Sequence, residues 1–215
     1  GYELSFGAKW FGGYVKRDDK KFRGDIYSYK SCMKQAPLLK DITFKCCSFE
    51  EYKDIFVFVE QENGNIAEVS YELISEARKL VASIPEFGYK VVGVLLGENV
   101  KEKAQEVISH GADKVIVVDD ALLKDYSTQF YADALTQVVL AHKPDSMLTG
   151  ATPLGRDLAP RVAARLNVGL TADATKIEVD LEYAKENGES LLDVTRPTFG
   201  GNLFGTIVCK DTRPQ

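Results

Sequence analysis

Two segments of the 215-residue chain combine residue types and spacing that could do chemistry. The first is Thr149-Gly150-Ala151-Thr152-Pro153-Leu154-Gly155-Arg156-Asp157. Its small residues allow a backbone to approach a ligand closely, and a helix starting there offers unpaired N–H groups to an anion. Thr152, Gly155 and Arg156 are its candidate contacts. The segment is neither a GxxxxGK[ST] phosphate loop nor a GxGxxG turn, and a tight strand-to-helix turn without a ligand is the alternative. Pro160 has no N–H, so it fits most easily in a first helical turn capped by Asp157; a start near Thr152 would need a kink at Pro160.

The second segment is Asp193-Val194-Thr195-Arg196-Pro197-Thr198-Phe199-Gly200-Gly201-Asn202. Pro197 biases Arg196 toward an extended backbone. Gly200-Gly201 permits a turn that a Cβ would forbid. The pattern projects one guanidinium from a strand end with exposed N–H groups beside it. A guanidinium stays charged and stacks on planar rings, which suits a phosphate, a carboxylate or a reduced flavin. The alternative is a hairpin turn with a solvated arginine.

Other chemistries find little support. There is no GxSxG nucleophile turn. His110 precedes a helix-ending glycine and His142 falls in a last helical turn, so both read as surface residues. Cys32, Cys46, Cys47 and Cys209 form no CxxC pair and no zinc-ligand spacing, which leaves no metal site to expect. A net charge of −5 argues against nucleic acid and anionic membrane as partners. No run approaches the roughly 20 apolar residues of a membrane helix, and no signal pattern opens the chain. Its ends, Gly1 and Gln215, read as those of a fragment.

The elements that must position these segments begin near residue 52. Ile55-Phe56-Val57-Phe58-Val59 is apolar throughout, as in a strand covered on both faces. After the Asn63-Gly64-Asn65 turn, Val69, Leu73, Ala77, Leu80, Val81 and Ile84 share a helical face. Strands follow at 89–96, 114–118 and 145–149. Helices lie between them and after the last: one opened by an Asn99/Glu102 capping box, one through Leu135 and Val139, one through Leu158 and Val162. Four such alternations predict an α/β fold with a doubly wound, mainly parallel sheet. Three β-like runs at 175–179, 191–195 and 203–209 read as later strands, some antiparallel. Residues 1–51 are aromatic and lysine-rich with no helical period, apart from a short strand around Asp25–Tyr29. They read as an arm packed on the main domain or on a partner.

Five pieces in order resemble the electron-transfer flavoprotein alpha-subunit family. They are Tyr52–Gln61 (YKDIFVFVEQ), Gly155–Leu166 (GRDLAPRVAARL), Gly169–Asp173 (GLTAD), Arg196–Asn202 (RPTFGGN) and Arg213-Pro214-Gln215. The resemblance covers residues 52–215, about three quarters of the chain. It implies an adenine-nucleotide-hydrolase-like, Rossmann-like domain over 52–210, then the start of a linker at 211–215 to an FAD-binding domain that is missing here. It also implies a heterodimer with an electron-transfer flavoprotein beta subunit, and exchange with an acyl-CoA dehydrogenase or another flavin dehydrogenase. A second FAD, reduced by NADH in electron-bifurcating members, or an AMP in the others, would sit in the beta subunit near this domain. By position in the pattern, Arg196 looks like the arginine that approaches that flavin, with Gly200, Gly201 and Asn202 shaping the same lip. A cation near the ring's N5–C4 edge would stabilise its anionic reduced forms. The implied location is the bacterial cytoplasm or, in a eukaryote, the mitochondrial matrix. The first 51 residues depart from the family, and their cysteines lack ferredoxin spacing. Two other readings stand beside this one: a stand-alone ATP- or AMP-binding domain using the Gly150–Asp157 loop, and an interaction scaffold.

Overall fold

Four apolar runs become four parallel strands, because each is covered on both faces and must satisfy its backbone within a sheet. In the computed structural model, β1 (Ile55–Val59), β4 (Val91–Gly97), β5 (Lys114–Asp119) and β6 (Ser146–Leu148) align in the order β5-β4-β1-β6. Every pairing in that sheet is parallel. All residues of β1 and β4 are buried. The structure describes residues 49–198 and 203–215. Expectations for the Asp25–Tyr29 strand, for Cys32, Cys46 and Cys47, and for Gly200, Gly201 and Asn202 lie outside these residues.

Two helical layers cover the sheet, as a doubly wound fold requires. The 16-residue α1 (Glu68–Ser83) turns Ile74, Ala77 and Leu80 onto Ile55, Val57, Val59, Val91 and Leu95. The short α2 (Ala104–Ser109) adds Val107 to that face. On the opposite face, α3 (Thr128–His142) and α4 (Pro153–Leu166) pack Tyr131, Leu135, Leu158 and Val162 against Phe56, Phe58, Val92 and Val94. A two-residue Asn63-Gly64 turn, both at positive φ, joins β2 (Gln61–Glu62) to β3 (Asn65–Ile66).

The late β-like runs do not enlarge this sheet. They form a separate antiparallel sheet, β7 (Lys176–Val179), β8 (Leu192–Thr198) and β9 (Leu203–Ile207), in that order. Its inner residues Ile177, Val179, Leu192 and Val194 pack into the α1-side core. An additional helix, α5 (Leu181–Asn187), links β7 to β8, capped by the Asp180 carboxylate and ended by Gly188 in the left-handed conformation. The sequence reading passed over it because seven residues give too few turns for a clear period. The turn at Asn99 also differs from expectation. Asn99 has positive φ, and the Asp119 carboxylate accepts the N–H groups of Asn99 and Val100. The capping oxygen therefore comes from the neighbouring strand.

Residues 211–215 are part of this domain's packing. Arg213 is buried, donating from Nε to Asp145 Oδ1 at 3.0 Å, from Nη2 to the Ser190 carbonyl at 2.7 Å and from Nη1 to the Cys209 carbonyl at 3.2 Å. Its guanidinium also lies 4.4 Å from the centre of the Phe49 ring. Gln215 donates its N–H to the Asp145 carbonyl and accepts from Met147 N–H, adding a parallel rung to the β6 edge. Burial pushes the Asp145 carboxyl up to about 6, against the pull of Arg213. No helix among the described residues is long and apolar enough to cross a membrane.

Replacing Arg213 with leucine strands Asp145 without its cation, and the expected loss at pH 8 is roughly 3–5 kcal/mol. Without the guanidinium the folded carboxyl rises further above its unfolded value, so the penalty grows with pH. Urea unfolding should show a smaller loss at pH 5, where Asp145 can hold a proton. Equal losses at both pH values would exclude the carboxylate as the source.

Candidate functional site

The order in which strands are added reverses between β1 and β6, since β1 leads to β4 on one side while β6 joins it on the other. Ligands of open parallel sheets gather outside the carboxyl ends of strands at such a point. Here those ends deliver Glu60-Gln61 after β1 and Thr149–Thr152 after β6. A crevice of about 790 Å³ opens between the end of β1 and the first residues after Thr152, lined by Glu60, Gln61, Lys124, Tyr126, Pro153 and Leu154 among others, whereas Thr149, Gly150 and Ala151 line a different cavity.

Helix α4 begins at Pro153, with Thr152 as its cap, and Pro160 lies well inside it. The expectation of a cap at Asp157 with Pro160 in the first turn is corrected. Proline at the first helical position is preset for φ and has no N–H to satisfy, which settles the start earlier than Pro160 suggested. The Thr152 hydroxyl accepts from Gly155 N–H at 3.0 Å and donates to Glu60 Oε2 at 2.6 Å. Asp157 faces elsewhere. It accepts from the Thr128 and Tyr126 hydroxyls, which hold its carboxyl below the usual range. Tyr126 in turn is pushed up to about 12 by burial and by that carboxylate.

Thr152, Gly155 and Arg156 do not converge on one ligand space. Thr152 is committed to the cap and to Glu60. Gly155 is buried, and a Cβ there would stand 2.0 Å from the Gly150 carbonyl oxygen. Arg156 is exposed and turns away to Asp173 at 2.5 Å and to the Ala151 carbonyl at 3.1 Å. Gly155 and Arg156 line a second cavity, about 590 Å³ and largely apolar, with Val162, Leu166, Val194 and Ile207.

Arg196 occupies a different place. β7 begins only at Lys176, opposite Thr195, so β8 and β9 run on past it as a two-stranded ribbon. Arg196 is the first residue of that ribbon and stands opposite Gly205, which presents no side chain across the ladder. Pro197 follows on the stretch free of β7, where a missing N–H costs no ladder bond on that side. The Arg196 Nε is buried with no hydrogen-bond partner among the described residues. On β9, Leu203 and Phe204 are exposed, at 59% and 66%.

The sequence reading did not single out Glu60, although its place directly after a buried apolar run marks it as a strand-end residue. Asp173 and Asp145 gave no local signal, because their partners lie 17 and 68 residues away. Among the described residues, no group of three His, Cys, Asp or Glu side chains could hold a metal ion.

A family model described as Electron transfer flavoprotein domain matches residues 55–215, the whole α/β unit with the antiparallel sheet and the tail. The chain belongs to the electron transfer flavoprotein domain family. It is 50% identical over 165 residues to the electron transfer flavoprotein subunit alpha of Thermoanaerobacterium thermosaccharolyticum, covering 77% of this chain and 47% of that one. The acryloyl-CoA reductase electron transfer subunit beta of Anaerotignum propionicum is 44% identical over 189 residues, covering 80% and 51%. The lactate dehydrogenase (NAD(+),ferredoxin) subunit LctC of Acetobacterium woodii is 42% identical over 190 residues, covering 86% and 43%. The chain thus spans about half the length of the curated relatives it matches. Coverage of 86% exceeds what residues 52–215 supply, so similarity to the last relative extends into the first 51 residues. That narrows the departure from the family expected for that segment.

Gly155→Ala should destabilise the domain by roughly 1–3 kcal/mol or more, because the new methyl must displace a backbone carbonyl. Gly150→Ala meets only side-chain methyls, those of Val69 at 3.2 and 3.3 Å and of Thr152 at 3.4 Å, and should cost less. Chemical denaturation of the two variants measures the difference, and similar losses would remove the argument for close packing at Gly155.

Proposed function

We propose that this chain is the electron-transfer module of a flavoprotein heterodimer, packing on a beta subunit and completing the rim of that subunit's flavin or nucleotide site. Family membership over residues 55–215 supports the electron-transfer role. The names of the relatives, an acryloyl-CoA reductase subunit and an NAD- and ferredoxin-linked lactate dehydrogenase subunit, support a dehydrogenase as the exchange partner. FAD is the cofactor of this reading. The main FAD belongs to a further domain of the same polypeptide, and a second FAD or an AMP to the beta subunit, with NADH as one possible electron source.

The observation that carries the reading is Arg196. A buried donor without an acceptor costs about 1–3 kcal/mol, and a group brought by a partner or ligand would relieve it. The ribbon that holds Arg196 also exposes Leu203 and Phe204, an apolar surface suited to a subunit contact. Bound flavin supplies the redox chemistry of this reading. Arg196 contributes a permanent positive charge, fixed by the β8–β9 ladder, that favours added electron density on a nearby ring. Gly200, Gly201 and Asn202 complete the proposed lip. Thr152, Gly155 and Arg156 act at one remove, by holding α4 and the Gly169–Asp173 loop in place.

In the purified complex, Arg196→Ala should lower the reduction potential of the interface flavin by roughly 30 mV or more, equivalent to about 1.4 kcal/mol for two electrons. Spectroelectrochemical titration measures it, and the main flavin serves as internal control. An unchanged potential with full occupancy would remove Arg196 from the site. The complex itself should be yellow with flavin absorption bands, whereas residues 49–215 alone should be nearly colourless.

A further inference from the structure

The crevice between the carboxyl end of β1 and the start of α4 lies where a sheet of this kind would accept a nucleotide, and the electron-transfer reading leaves it unused. Two features of such crevices attract phosphate: unpaired N–H groups at a helix start and the positive end of that helix. Here the entrance to α4 is already engaged from within the chain. Glu60 Oε2 accepts the Thr152 hydroxyl at 2.6 Å, while the same hydroxyl accepts Gly155 N–H. The other end of Glu60 is equally fixed. Its N–H donates to Ser70 Oγ at 2.9 Å, and its carbonyl accepts Ala67 N–H at 2.9 Å, just before α1 begins. Glu60 therefore ties together the starts of the two helices that flank the crevice. Glu62 and Asp125 line the same space, against Lys124.

We propose that Glu60 is the residue that withholds this crevice from phosphate, its carboxylate standing as a built-in anion at the cap of α4. An incoming phosphate would have to displace a carboxylate already hydrogen-bonded there, or lie beside it against like-charge repulsion. The residue thus sets what the crevice is for. It joins β1 to α1 and α4 as a structural knot, and it leaves nucleotide recognition to other parts of the assembly. This rests on the positions of Glu60 and Thr152, and holds whether or not Arg196 serves a flavin.

The test compares binding of inorganic phosphate and of AMP by variants and parent, in matched preparations of the protein isolated with its natural partners. Glu60→Ala removes both the charge and the bulk, and affinity for both probes should rise on the order of tenfold or more. Glu60→Gln can still accept the Thr152 hydrogen bond, so it keeps the fold while losing the charge. Its gain should be smaller, and it carries the test if Glu60→Ala folds poorly. Glu62→Gln combined with Asp125→Asn removes two charges from the same crevice without touching the cap, and should raise affinity less than either Glu60 variant does. Equal affinity in the parent and both Glu60 variants overturns the proposal, as does a gain from the Glu62/Asp125 variant that matches theirs. Flavin content and potential, read on the same samples, should not move, which separates failure here from failure of the electron-transfer reading.

Discussion

A guanidinium taken out of water holds the two sheets in register. Arg213 has no exposed side-chain surface, and it reaches the parallel sheet through Asp145 and the approach to the antiparallel sheet through the Ser190 carbonyl. Moving one such charge into the interior is costly unless its donors find acceptors, and here carbonyls and a carboxylate meet all three nitrogens. The hydrophobic contacts between α1 and β7–β8 are non-directional and would tolerate sliding. Hydrogen bonds to a planar fork do not. The location of Arg196 relative to the sheet therefore depends on Arg213, although the two arginines have different work.

Much of the parallel sheet was legible from the chain because buried strands have a plain signature. Ile55–Val59 reads as covered on both faces, and it is. The helical faces of α1 and α4 follow from apolar spacing, with Ala77, Leu80, Leu158 and Val162 all buried. What failed was information held by distant partners. The Asn99 turn looked locally capped, yet Asp119 supplies the oxygens from the next strand. Pro160 drew the start of α4 too far along, since proline tolerance inside a helix depends on its surroundings. The short β runs carried no mark of belonging to a second sheet.

The site segments were legible as segments but not as a site. Spacing placed the Thr149–Asp157 connection at a strand end, and the structure puts it there. It did not reveal that Thr152, Gly155 and Arg156 face three different neighbours: Glu60, Gly150 and Asp173. Side-chain direction within the first turn of a helix changes by about 100° per residue. Small residues in a connection therefore say that two backbones come close, and only the fold says whether a ligand or the protein itself is the close neighbour.

The β8–β9 ribbon has one more consequence. Paired strands freed from a third neighbour coil more tightly than a wider sheet. Along the described ribbon, Thr198 and Leu203 sweep through a larger rotation than residues near the point of departure. Arg196 sits at that point, directly after the last rung shared with β7, so its heading is inherited from the three-stranded part. Changes beyond that point would therefore leave the guanidinium pointing where it does.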